Sequence, residues 1–187
     1  AATKPFGFQA FYPGPGLGGH CIPIDPYYLT HKAREYGHAT RFIELAGEIN
    51  SRMPLAVVDR VAHALNQDAK PVKGSRVLVV GIAYKPDVDD VRETPAAEII
   101  RLLLERGANV SYHDPHIARF PDMRRYQFDL ASSPLDQAHV DAADCVLIVT
   151  NHSDLDYALL AARAKLIVDT RDAMARVTPG QARVVKA

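Results

Sequence analysis

Between residues 42 and 65, apolar side chains recur every three or four residues, which is the spacing of one face of an α-helix. The positions are Phe42, Leu45, Ala46, Ile49, Met53, Val57, Val61 and Leu65. Pro54 interrupts the pattern and predicts a kink or a restart over residues 50–53. A shorter helix is predicted over residues 26–36 and is ended by Gly37. The apolar stripe predicts a helical subdomain that packs on upstream sequence, on another copy of the chain, or only on the domain that follows.

The pattern changes after residues 70–75, a polar junction with Pro and Gly where we place a domain boundary. Short apolar runs then predict four strands, over residues 76–83, 109–113, 144–150 and 165–169. A helix is predicted from Thr94 to Arg106, and further helical stretches precede and separate the last two strands. This alternation predicts an α/β protein with a parallel sheet covered on both faces. Ligands bind such sheets beyond the carboxyl ends of the strands.

Composition restricts the partners of this chain. Its 187 residues have no net formal charge and are 48% hydrophobic, as expected for a globular protein of one or two domains. The balanced charge does not favour nucleic acid, and no apolar run approaches the ~20 residues that a membrane span needs. The two cysteines, Cys21 and Cys145, lie in different contexts, which predicts no disulfide and a reducing cytoplasm. The start lacks Met and a signal pattern, so we expect a piece of a longer chain.

Candidate chemistry is concentrated in the glycine-rich stretch over residues 12–26. Its glycines allow positive φ and close backbone contact with a phosphate or sugar. Asp25 and Pro26 predict the N-cap and first residue of a helix, with Cys21 just ahead of it. The helix N-terminus and His20 would then favour a nucleophilic thiolate, and Asp25 could act on a water or a hydroxyl. The alternative is a structural cysteine beside a plain cap, and the spacing of His20 and Cys21 does not favour a metal.

A second charged loop, residues 84–94, is longer than the usual connection of about 2 to 6 residues. Lys85 and Arg92 could bind phosphate or carboxylate, and Thr94 is predicted to cap the next helix, whose N-terminus favours anions. The alternative is a solvated loop whose Asp and Arg side chains pair with each other. No G-x-G-x-x-G follows any predicted strand, so the dinucleotide fingerprint is absent.

Later strand ends add further polar residues. Asp114 could read a ribose or form a plain turn, and Arg171 lies where an anion contact is useful. His113, His116 and His152 have irregular spacing, so we interpret them as ordinary loop histidines and predict no metal site.

Two motifs together resemble the UDP-glucose/GDP-mannose dehydrogenase family: GPGLGGHCIPID over residues 14–25 and GIAYKPDVDDVRETP over residues 81–95. Members of that family carry an NAD-binding Rossmann domain, a helical middle domain that dimerises, and a C-terminal Rossmann-like domain that binds the nucleotide sugar. The resemblance implies a helical subdomain over residues 1–70, from the latter part of the middle domain, and a Rossmann-like parallel-sheet domain over residues 71–187. The domain with the NAD fingerprint would lie upstream.

The resemblance also implies residue roles. Cys21 matches the nucleophile that forms a thioester while a sugar alcohol is oxidised to a carboxylate with NAD, and Asp25 matches an acid/base residue. Arg92 matches an arginine that reaches the NAD pyrophosphate. The positions matched to substrate binding are Tyr12, Gly14, Gly16, Gly18, Tyr84, Lys85 and Arg171.

One departure from the family pattern bears on the substrate. Ile24 stands where glucose-oxidising members commonly have Lys, and together with residues 4–8 it resembles the branch acting on UDP-N-acetylhexosamines. The sequence therefore predicts part of a cytoplasmic, homo-oligomeric UDP-N-acetylhexosamine 6-dehydrogenase. The rival hypothesis is a non-catalytic nucleotide-sugar-binding or assembly module in which Cys21 is structural.

Overall fold

A computed structural model describes residues 3, 4, 6, 7 and 10–187 of the chain. Pro5 and Phe8, which contribute to the resemblance at residues 4–8, lie outside the described residues. The first two elements are helices, α1 over Cys21–Glu35 and α2 over Arg41–Gln67. None of the described helices is both long enough and apolar enough to cross a membrane.

Helix α1 begins earlier than predicted, because Asp25 and Pro26 are not its cap and first residue but lie inside it. Its N-cap is His20, whose side chain makes no capping hydrogen bond. Pro23 fits the first turn, where backbone N–H groups have no partner within the helix, and Pro26 removes only one later hydrogen bond. The prediction of a restart before Pro54 is also wrong, since α2 runs through that residue without interruption.

The rest of the chain alternates strands and helices. In order these are β1 Arg76–Val80, α3 Pro95–Glu105, β2 Asn109–His113, α4 Gln137–Ala142, β3 Cys145–Ile148, α5 Tyr157–Arg163, β4 Leu166–Asp169, a 3-10 helix Ala173–Arg176 and β5 Arg183–Lys186. Thr94 caps α3 as predicted, because its side-chain oxygen accepts a hydrogen bond from the amide of Ala96 at 3.3 Å. Strand β5 was not predicted from the sequence.

The five strands form one parallel sheet in the order β2-β1-β3-β4-β5, which confirms the predicted α/β class. Val80 at the end of β1 pairs in register with His113 and Ile148, and Ile148 pairs with Asp169. The carboxyl ends of these strands therefore meet at one edge. The connection that follows β1 leads to β2 on one side, and the connection that follows β3 leads to β4 on the other side. The crevice between such diverging connections is where ligands bind in open α/β sheets.

The apolar stripe of α2 has two different environments. From Val57 to Leu65 it is buried in the core that covers one face of the sheet. Toward its start, Phe42, Leu45 and Ile49 are 87%, 51% and 54% exposed. Packing on the following domain thus accounts for only the second half of the stripe. The predicted domain boundary falls in the connection between α2 and β1, and because α2 shares the core of the sheet, the division into two domains stays a prediction.

Candidate functional site

The candidate nucleophile occupies the first position of α1. Cys21 is exposed and lies at the positive end of the helix. Asp25, also exposed, follows four residues later in the same helix. Residues at this spacing lie on one helix face with their Cβ atoms about 5–6 Å apart. Although Asp25 is not the predicted cap, α1 brings it to the same side as the thiol.

The glycine-rich loop is held against the rest of the protein by its own backbone. The amide of Gly19 donates to the carbonyl oxygen of Arg92 at 2.7 Å, and the amide of Leu17 donates to Asn50 Oδ1 at 2.7 Å. A Cβ added at Gly18 would lie 2.6 Å from the Tyr84 Cβ and 2.8 Å from the carbonyl oxygen of Glu93. The Gly19 amide, one of the glycine amides expected to contact a phosphate or sugar, thus has a protein acceptor, as does the Leu17 amide. At Gly18 the lack of a side chain lets two loops meet.

The loop after β1 places three predicted site residues beside that contact. Lys85 Nζ lies 5.4 Å from the centre of the Tyr84 ring. Arg92 pairs with Asp90 at 2.6 Å, as the alternative interpretation expected, yet its side chain is still 66% exposed. The hydrogen bond to Asp90 raises its pKa. Asp90 thus orients a guanidinium that remains exposed.

Arg171 lies at the opposite end of the glycine-rich loop. Its Nε donates to Asn151 Oδ1 at 3.3 Å, and desolvation lowers its pKa. A Cβ at Gly14 would collide with its guanidinium. Tyr12, 78% exposed, lines with Arg171 a cleft of about 500 Å³ that Lys186 also borders. A half-buried cation at the mouth of a cleft of this size suits an anionic ligand.

Of the two alternatives that the sequence leaves open for Asp114, the structure favours the turn over the ribose contact, because the side chain is buried and its oxygens are occupied. Oδ2 accepts from the amides of Ile82 and Ala83 at 2.7 and 3.2 Å and from His152 Nε2 at 3.1 Å. Oδ1 accepts from the amides of His116 and Ile117 at 2.9 and 3.1 Å. Burial raises the pKa of this carboxyl, but the hydrogen bonds outweigh burial and hold the pKa below its usual 3.8.

His152 is not the ordinary loop histidine predicted from spacing. Its side chain is fully buried, and its Nδ1 accepts a hydrogen bond from the amide of Asp87 at 3.0 Å. Its ligand atoms lie within 4.8 Å of those of Asp87 and His116, an arrangement that could hold a metal ion. Both ring nitrogens already have partners, so the ring offers no lone pair to a metal. Its position just after β3, at the diverging connections, is the sequence signal that could have revealed it.

Comparison with known proteins gives matches to two domain models of one family. Residues 78–176 match the UDP binding domain of the UDP-glucose/GDP-mannose dehydrogenase family, and residues 1–52 match its central domain. The chain belongs to this family. It is 33% identical to a UDP-N-acetyl-D-mannosamine dehydrogenase of Methanococcus maripaludis over 86% of this chain and 36% of that protein. It is also 33% identical to a UDP-N-acetyl-D-glucosamine 6-dehydrogenase of Pseudomonas aeruginosa, over 82% of this chain and 35% of that protein.

Solved structures of the family have the same fold. A UDP-D-ManNAc dehydrogenase from Pyrococcus horikoshii superposes with a TM-score of 0.79 at 26% identity, covering all of this chain and 42% of that one. A UDP-glucose dehydrogenase from Pyrobaculum islandicum gives a TM-score of 0.70 at 29% identity, covering 93% of this chain and 38% of that one. The chain thus spans little more than a third of the curated relatives it matches.

Proposed function

We propose that this chain is the substrate-binding and thiol-bearing part of an NAD-dependent dehydrogenase that oxidises the C6 alcohol of a UDP-N-acetylhexosamine to a uronate. The observation that carries the proposal is the hydrogen bond from Gly19 to Arg92, which joins the cysteine loop to the charged loop after β1. Cys21, Lys85 and Arg92 are all exposed, and they belong to the two chain segments that this hydrogen bond joins. The family membership and the printed names of the relatives support the choice of substrate class.

Cys21 would act as the covalent catalyst. Its sulfur adds to the C6 carbon of the aldehyde formed in the first oxidation, and the carbonyl oxygen takes up a proton. Loss of a hydride from C6 and of the hydroxyl proton of this adduct leaves a thioester on Cys21. Water then attacks the thioester carbon while Asp25 accepts the proton of that water, and the carbon–sulfur bond breaks to release the uronate and the thiol. The N-terminus of α1 stabilises the thiolate both before it attacks the aldehyde and when it is released from the thioester.

The residues of this chain fit a limited contact with NAD, which would accept the two hydrides released. The Arg92 side chain is exposed and presents a planar fork, and its pairing with Asp90 orients it without burying it. We therefore propose that Arg92 binds the pyrophosphate of the cofactor. The described residues of this chain include no other group that we assign to the cofactor.

The substrate would lie along the glycine-rich loop. We propose that Tyr12, Gly14, Gly16 and Gly18 line its path, with Tyr84 and Lys85 on one side and Arg171 on the other. The cleft at Tyr12 and Arg171 supports this placement because it combines an aromatic ring with a half-buried cation. Ile24, which replaces the lysine common in glucose-oxidising members, supports an N-acetylhexosamine.

The deciding experiment is Cys21→Ser in the full-length protein, assayed for acid formation from UDP-N-acetylhexosamines with NAD. We expect formation of the uronate to be abolished, and full activity would overturn the mechanism. The 187-residue chain alone should bind UDP-sugar weakly or not at all and oxidise nothing, so turnover of NAD by it would refute its assignment as one part of the enzyme.

Thiol labelling separates the enzyme from the rival, a non-catalytic binding or assembly module. Cys145 is buried and its pKa is raised to about 12 by desolvation, so labelling of the folded protein reports Cys21. Fast reaction at neutral pH with protection by UDP-sugar favours the enzyme, and an inert Cys21 favours the module. Cys145→Ala is the matched control and should leave the labelling rate unchanged.

We also propose that the full-length protein is a homo-oligomer in the cytoplasm. The exposed half of the α2 stripe, at Phe42, Leu45 and Ile49, supports packing against a second copy of the protein. Two thiols that form no disulfide support a reducing cytoplasm.

A further inference from the structure

A buried junction lies behind the candidate site, where the chain segments that follow β1, β2 and β3 meet. Asp114, just after β2, accepts hydrogen bonds from the amides of Ile82 and Ala83. His152, after β3, bonds to Asp114 through Nε2 and to the amide of Asp87 through Nδ1. The side chains of Asp114 and His152 are both fully buried. One histidine thus connects the two ends of a short segment of the β1 loop.

The hydrogen bonds determine which ring nitrogen carries the proton. A backbone amide can only donate, so Nδ1 of His152 accepts from Asp87 and is unprotonated. The ring then carries its proton on Nε2 and donates it to the Asp114 carboxylate. The ring is neutral and uses both nitrogens. A second contact strengthens the junction, because the Asp87 carboxylate accepts from the amide of Ser153 at 2.7 Å.

The segment between these anchors carries two of the proposed substrate-binding residues. Ile82 and Ala83 are fixed on one side and Asp87 on the other, so Tyr84 and Lys85 form a short bridge between fixed points. Tyr84 in turn contacts the glycine-rich loop near Gly18 and Gly19. A displacement at Asp87 would therefore move Tyr84 and Lys85 relative to Cys21.

We propose that His152 is a positioning residue that holds Tyr84 and Lys85 in place for the substrate through its hydrogen bond from the Asp87 amide. This inference rests on the proposed function. His152 does not face the cleft, since its side chain is completely buried. It acts on the ligand only through the loop that it fixes.

Two variants of the full-length protein separate the two hydrogen bonds of the ring. In His152→Asn the amide oxygen takes the position of Nδ1 and can still accept from Asp87, but the side chain is too short to reach Asp114. In His152→Gln the amide nitrogen takes the position of Nε2 and can still donate to Asp114, but nothing accepts from Asp87. His116→Asn is the matched control, because it removes a neighbouring histidine whose ring lies 4.8 Å from that of His152.

Hydrogen exchange of the Asp87 amide and the dissociation constant for the UDP-sugar are the two measurements, with KM and kcat determined in parallel. Loss of a buried hydrogen bond speeds exchange by roughly tenfold or more. We expect this increase in His152→Gln, together with a rise of about tenfold in the dissociation constant and KM and a smaller change in kcat. His152→Asn and His116→Asn should stay within about threefold of wild type.

Equal effects of the Asn and Gln variants, or no effect of the Gln variant, would overturn the inference while leaving the proposed function intact. Failure of the wild-type protein to bind any UDP-sugar would overturn both. If His152→Gln does not fold, the nitrogen chemical shifts of the His152 imidazole in the wild-type protein test the inference instead. A proton on Nε2 alone supports the inference, and a proton on Nδ1 contradicts it.

Discussion

The amide nitrogen of Gly19 lies 2.7 Å from the carbonyl oxygen of Arg92, so the cysteine-bearing loop and the charged loop after β1 form one hydrogen-bonded unit. Cys21, the first residue of α1, lies two residues after Gly19. Arg92, whose carbonyl oxygen accepts the bond, also carries the charged side chain proposed to bind the cofactor. Glycine suits position 19 because its φ is positive, 86°, and because a Cβ there would lie 3.0 Å from the Tyr84 ring.

Gly19→Ala should destabilise the protein more than Gly37→Ala does. Both glycines have positive φ, 86° and 74°, so alanine costs about 1 kcal/mol of backbone strain at either position. At Gly19 the new Cβ would also lie 3.0 Å from the Tyr84 ring, whereas nothing lies within 4 Å at Gly37. We expect an additional loss of about 1–3 kcal/mol in the free energy of unfolding by urea. Equal losses of unfolding free energy in the two variants would contradict a close contact between Gly19 and the Tyr84 ring.

Arg171→Lys should weaken UDP-sugar binding by roughly tenfold or more, since lysine cannot both reach Asn151 and present a planar fork to an anion. Arg176, exposed at the border of the same cleft, provides the control, and Arg176→Lys should change the affinity by less than about threefold. Isothermal titration calorimetry of both variants in the full-length protein checks this. A similar loss of affinity in both variants would contradict a specific role for the Arg171 guanidinium in binding the UDP-sugar.

Asp114→Asn should lower stability in a pH-dependent manner. The pKa of Asp114 is below 3.8 in the folded protein, so the stability that its ionised form contributes is complete above that pH and is lost as the pH falls through the folded value. At neutral pH the variant should lose about 3 kcal/mol of unfolding free energy, because several donors lose a buried charged acceptor.

Urea unfolding at neutral pH and at about pH 3 tests this. The difference in unfolding free energy between Asp114→Asn and wild type should be smaller at the lower pH. Asp154→Asn is the control, since Asp154 is exposed and only approaches His116 at 4.0 Å. It should have little effect at either pH. A loss in Asp114→Asn that does not depend on pH would show that the carboxylate charge is not what stabilises the junction.

If the proposed homodimer packs through the exposed apolar face of α2, Leu45→Asp should shift the full-length protein toward monomer, because the new charge would have to be desolvated on packing. Glu48→Gln, a change at an exposed polar position of the same helix, should leave the molar mass unchanged. Light scattering after size-exclusion chromatography measures both. A Leu45→Asp protein that keeps the wild-type mass would exclude this face from the interface.

Much of the fold could be predicted from local patterns. The apolar runs at β1 and β4 and the cap at Thr94 are signals in which neighbouring residues alone specify the conformation. Strand β5 was missed because it is a four-residue edge strand with alternating partial exposure, so it contains no continuous apolar run. The start of α1 was misplaced because the dipeptide Asp25-Pro26 has the form of a cap, whereas the helix begins at Cys21 with His20 as its N-cap.

By itself the sequence determined the α/β class, the order of the first four strands and the family, because side-chain periodicity and the two motifs are properties of contiguous residues. It also predicted that Cys21 and Asp25 share a site, although it placed the start of α1 wrongly relative to them. Only the tertiary structure decided that Gly19 bonds to Arg92, that Asp114 is an internal anchor and not a ribose ligand, and that His152 is buried between loops. The Asp114 and His152 contacts depend on strands distant in sequence ending at the same edge of one sheet, and the Gly19 bond depends on the packing of two loops distant in sequence. No local pattern encodes either arrangement.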